Sequence, residues 1–84
     1  MPVHSERDLD NGELQRWLIA FGNHLRDLRM ERNLTQERLA EESGLHRVVI
    51  GKIERAERDV GISHVLRLAR ALDVPPAELF NLRD

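Results

Sequence analysis

Between Thr35 and Arg55 a helical pattern breaks once, at Gly44, and resumes at His46. Glycine adopts a left-handed backbone without a Cβ penalty, and a helix that meets such a residue stops there. Thr35 offers a capping oxygen to the short helix before the break. Glu37 suits the positive end of that helix's dipole, and Leu39 and Ala40 face inward. After the turn a second short helix covers about His46 to Arg55, with Ile50 and Ile53 on one face. Two such helices across so tight a turn meet at a steep angle.

The rest of the chain is also helical in pattern. Leu14, Trp17, Leu18, Phe21, Leu25 and Leu28 step by three or four along one face. Asp10 or Asn11 suits the N-cap of that first helix, and Asn33 is a stop. A connection over 56–61 leads to a fourth helix from about Ile62 to Leu72, with Ile62, Val65, Leu68, Ala69 and Leu72 inward. Pro75 and Pro76 open a short fifth helix that ends near Leu82. Strict alternation, the mark of strands, is absent. The expectation is an all-α domain of five helices over 13–84, with its first helix extended at the N-terminus. Residues 1–12 are polar, acidic and aperiodic, and read as a flexible acidic tail.

Charge and composition remove several classes of function. The 84 residues suffice for one small domain. Cysteine is absent, so zinc–thiolate sites, disulfides and cysteine nucleophiles are excluded. His4, His24, His46 and His64 have no metal-ligand spacing, so no metal or cofactor is expected. Glu41 and Glu42 are adjacent on a helix, so they diverge into a solvated face. With no glycine-rich phosphate loop either, an enzyme is not expected, nor is a small-molecule ligand evident. The longest apolar run is residues 17–21, too short for a membrane span or a signal-peptide core, which fits a cytoplasmic protein. The net charge of -2 argues at first sight against nucleic acid as a partner. Its distribution does not. Residues 1–14 carry -3, whereas Arg47, Lys52, Arg55 and Arg58 against Glu54 and Glu57 make 46–58 locally +2.

Two short helices joined at Gly44 form a helix-turn-helix arrangement. Here the chain resembles the Cro/phage-repressor-type (Xre-like) helix-turn-helix regulators, whose fold is the lambda-repressor-like DNA-binding domain. The likeness is carried by Leu28-Arg29, Leu34-Thr35-Gln36-Glu37-Arg38-Leu39-Ala40, Ser43-Gly44-Leu45, Ile50-Gly51-Lys52-Ile53-Glu54-Arg55, Leu68-Ala69-Arg70-Ala71-Leu72 and Glu78-Leu79-Phe80, and covers about 21–80. It implies a sequence-specific transcriptional regulator that binds a double-stranded DNA operator as a homodimer, with the third helix in the major groove. By position Arg47, Val48 and Lys52 would contact base edges. A guanidinium can bond guanine O6 and N7 together, whereas Val48 can only pack on a thymine methyl. Val49 stands between that edge and the core. The likeness places Gln36, Arg55, Arg58, Ser63 and His64 at the phosphates, contacts that fix register without reading sequence. It also pairs Arg29 with Glu54 between the first and third helices.

The chain departs from the family pattern at three positions. Ala56 replaces the usual glycine after Ile-Glu-Arg. A left-handed alanine is strained, so the third helix either runs on or turns differently, and the placement of Arg58 depends on which. His46 is a weak cap where Ser or Thr is usual, and Asp73 replaces a frequent glycine. The extended first helix leaves Trp17 and Leu18 outside the minimal core, where they serve a dimer contact, the chain's own fifth helix, or a partner. Trp17, Leu66 and Leu82 are the candidates for the dimer surface. The rival reading is a protein-interaction module or antitoxin with the same fold and little DNA binding.

Overall fold

The computed structural model describes residues 9–82. It contains α1 (Asn11–Glu31), α2 (Gln36–Ser43), α3 (Arg47–Glu54) and α4 (Ile62–Leu72), followed by one 3-10 turn over Pro76–Phe80. The fifth helix expected from Pro75-Pro76 is therefore this turn. Pro76 has no N–H, and the segment pins Leu79 in the core before the chain leaves at Asn81. That leaves length for i→i+3 bonds alone, as Glu78 N to the Pro75 carbonyl at 2.9 Å shows. No strand occurs among the described residues. Residues 1–8 of the proposed acidic tail lie outside the described residues. Its last two residues, Asn11 and Gly12, already belong to α1.

Local sequence accounts for the helix ends. Asp10 caps α1 by accepting from the Glu13 N–H. Thr35 caps α2, its Oγ1 accepting from Arg38 N at 3.0 Å. Gly44 ends α2 in the left-handed region at φ 78°. His46 makes no side-chain cap at the start of α3. Asn33, Ala56 and Asp73 also take positive φ, at 56°, 61° and 58°. Asn and Asp tolerate this conformation through their short polar side chains. Ala56 has no such side chain, yet α3 neither runs on nor turns differently: it stops at Glu54, and the left-handed turn is kept at a steric cost. Gln15, in the extension of α1, donates to the Ala56 carbonyl at 3.2 Å and braces that turn.

The core gathers Phe21, Leu25 and Leu28 of α1, Leu39 of α2, Ile50 and Ile53 of α3, Val65, Leu68 and Leu72 of α4, and Leu79. Two expected core positions, Ile62 and Leu14, are exposed. Ile62 is 70% exposed, because as the first residue of α4 it precedes the turn that lies on the core. Leu14 and Trp17 share the apolar stripe of α1 but are exposed. The helix is roughly 31 Å long, and its first turns face an open cleft against Asp59, Val60, Phe80 and Leu82 rather than the close-packed core. Gly22 sets the crossing of α1 and α3. A Cβ there would sit 2.8 Å from the Glu54 carbonyl oxygen and closer still to that of Ile53. Arg32 joins the far end of α1 to α4, its Nε donating to the Leu72 carbonyl at 2.6 Å.

Candidate nucleic-acid interface

The third helix divides cleanly into two faces. Ile50, Gly51, Ile53 and Glu54 are buried, and Val49 packs partly against the core. Arg47, Val48 and Lys52 are exposed on the outer face, so the three positions assigned to base edges share one solvent-facing surface. Burial of Ile50 and Ile53 fixes the helix in rotation, so that face is rigidly presented.

Behind it lies a polar network that ties three helices together. Arg29 Nε donates to Glu54 Oε2 at 2.7 Å and Arg29 Nη2 to Oε1 at 3.0 Å, a two-point contact. The third arm of the same guanidinium, Nη1, donates to the Leu34 carbonyl at 2.8 Å and fixes the approach to α2. The hydrogen bond to Glu54 raises the Arg29 pKa, against the opposing effect of burial. Gln36 joins from the start of α2, its Nε2 donating to Glu54 Oε1 at 2.9 Å. A carboxylate only accepts, so the amide nitrogen must face it. The second N–H of that amide then points away from Glu54.

Two exposed arginines of this region, Arg47 and Arg55, are also held by the chain's own acids. Arg47 Nε lies 2.7 Å from Glu37 Oε2. The Glu37 carboxyl is held below its ordinary pKa, first by its own backbone N–H at the helix start and further by the charge of Arg47. Arg55 donates from Nε and Nη2 to the two Glu57 oxygens at 3.1 and 3.2 Å, and this bond lowers the Glu57 pKa. Arg58 is half-buried and its Nε donates to the Asp59 carbonyl at 3.1 Å. Ser63 is exposed at the start of α4. His64 is half-buried, and its Nδ1 has no hydrogen-bond partner among the described residues.

Of the residues named for self-association, Trp17 and Leu82 line one apolar groove together with Phe80 and Ile19. Phe80 packs on Phe21 with ring centroids 5.3 Å apart. Leu66 is exposed on α4 and does not line that groove. Among the described residues no cluster of His, Asp and Glu could hold a metal ion, and no helix is long and apolar enough to cross a membrane.

Sequence reasoning gave Glu37 a role in the helix dipole alone and did not pair it with Arg47. The two are ten positions apart across the turn, and only the turn's geometry joins them. Gly22 was also missed. A glycine inside a strong helical pattern costs about 1 kcal/mol against alanine, which is itself a signal of a packing constraint.

A tight helix pair with one rigid, polar helix face outward defines a helix-turn-helix DNA-binding domain. The family model described as helix-turn-helix matches residues 25–79, and the chain belongs to that family. It is a DNA-binding transcriptional regulator. Its relatives are more particular. The chain is 48% identical over 61 residues to control protein C.SmaI of Serratia marcescens, covering 73% of each. It is 38% identical over 64 residues to control protein C.BamHI of Bacillus amyloliquefaciens, covering 75% of this chain and 79% of that one. The crystal structure of the restriction-modification controller protein C.AhdI from Aeromonas hydrophila superposes with a TM-score of 0.74 at 49% identity, over 75% of this chain and 96% of that one.

Proposed function

We propose that the protein controls a restriction-modification system by binding an operator as a homodimer, with α3 of each protomer in the major groove. The controller role rests on the likeness to C.SmaI and C.AhdI over three-quarters of the chain. The groove assignment rests on the outer face of α3, where Arg47, Val48 and Lys52 stand exposed on a helix whose other face is locked in the core. Arg47 reads a guanine, Val48 meets a thymine methyl, and Lys52 adds a point charge. Gln36 turns its outer amide N–H to a phosphate, and Arg55, Arg58, Ser63 and His64 meet the backbone beside it. The Arg29–Glu54 pair sets the angle at which α3 leaves the body.

Two copies are needed because one domain of this size covers too little DNA to be both tight and selective. A two-fold arrangement places the recognition helices about 34 Å apart, one turn of B-DNA. Trp17 and Leu82, in one apolar groove, are the first positions to test for that contact, and Leu66 the next. Such a regulator works in the cytoplasm, where its DNA is. Its control comes from its own concentration, a partner, or self-association.

The test is a titration of a random duplex at a series of salt concentrations, with the mass of the free protein measured alongside. A DNA-binding homodimer gives a straight line of log affinity against log salt, with a slope near -0.9 for each phosphate neutralised. Absence of binding at low salt would favour the interaction-module reading instead.

A further inference from the structure

Arg47 carries five N–H groups in one plane, a single one on Nε and two on each terminal nitrogen. Glu37 Oε2 stands 2.7 Å from Nε. With that side of the guanidinium engaged, its far end is what remains to present two parallel donors outward, from Nη1 and Nη2. Those two donors match guanine O6 and N7. A guanine edge bears no net charge, so it can be bound while Glu37 keeps its hold.

A backbone phosphate is a different ligand for the same arginine. Moving Arg47 to a phosphate strips Glu37 of its counter-charge close to the DNA. Bringing the phosphate to Arg47 in place sets it beside the carboxylate. Either arrangement puts two negative groups together at the start of α2, and like charges at such range repel.

We infer that Glu37 is a specificity-determining residue, which holds Arg47 end-on for a base edge and penalises its use on phosphates. The inference rests on the operator reading above and deepens it, since that reading leaves Glu37 without a part. It also gives a reason for an acid within a surface meant for DNA. The clasp is exposed on both sides, and pairs of this kind add little to stability. Glu37→Gln keeps the shape and removes the charge, and α2 retains its Thr35 cap.

The test uses two duplexes, one selected by the wild-type protein from a random pool and one a scrambled version of it. Glu37→Gln is expected to bind the scrambled duplex about three- to tenfold more tightly and to lose about tenfold in the ratio between the two. Its log–log salt slope on the scrambled duplex steepens by about one, as one further arginine becomes available to a phosphate. In an Arg47→Ala background the same substitution is expected to leave the ratio unchanged. An unchanged ratio and slope in the single variant, or an equal loss on both duplexes, would overturn the inference while leaving the operator reading in place. A drop in the ratio of equal size without Arg47 would overturn it too. A wild type that selects no sequence overturns both readings together.

Discussion

Two arginine–glutamate pairs in this domain close to the same 2.7 Å, Arg29 on Glu54 and Arg47 on Glu37. The side chains of the first are 12% and 3% exposed, those of the second 57% and 63%. Separation alone would rank them equal. Burial separates them. In the first, water has been replaced by a fixed set of donors, so each partner depends on the other. In the second, water competes for both groups, so the pair adds little to stability. One pair therefore belongs to the framework behind the recognition helix. The other belongs to the surface in front of it.

The largest effect should come from breaking the buried pair. Glu54→Ala leaves Arg29 buried without a counter-charge and Gln36 without its acceptor, and should lower stability by about 3–5 kcal/mol in a denaturant titration. Glu37→Ala should leave the melting temperature almost where it was. Equal losses in the two variants would erase the distinction drawn from burial.

Gly22→Ala disturbs the buried pair without touching either charge. Its Cβ forces α1 away from the last turn of α3, so the two-point geometry loosens, at a cost of about 1–3 kcal/mol. A neutral result there would mean that the two helices can move apart freely.

The smallest change runs the other way. Ala56→Gly relieves the left-handed alanine at the end of α3 and alters neither pair. Relief of roughly 1–2 kcal/mol is partly offset by the greater freedom of glycine in the unfolded chain, for a net gain of about 0.5–1 kcal/mol. A loss on this substitution would show that the turn is not strained.

The same contrast explains what could be read from the sequence. Local rules carried most of the fold: the caps at Asp10 and Thr35, the stop at Gly44, and the helical spacing of the apolar residues. They failed where a residue's environment depends on distant chain. Ile62 and Leu14 have inward-facing spacing, yet both are exposed: Leu14 borders an open cleft against Asp59 and Val60, and Ile62 stands at the first position of α4. The 3-10 turn at Pro76–Phe80 replaces a helix because the chain is held at Leu79, a tertiary constraint. In the site, the resemblance pointed to the outer residues of α3 by position. The partner of Arg47 was not legible, because Glu37 approaches it only once the turn has formed.

In the proposed complex α3 reads bases, with Arg47 as its principal reader. Selection from a randomised duplex pool, run in parallel with wild type and Arg47→Ala, tests this most directly. Wild type should enrich two related half-sites whose centres lie about one helical turn apart. Arg47→Ala should lose roughly 1–3 kcal/mol on that duplex and lose its preference at one base pair of each half-site, with the other positions kept. Enrichment of an identical sequence by both proteins would contradict the assignment.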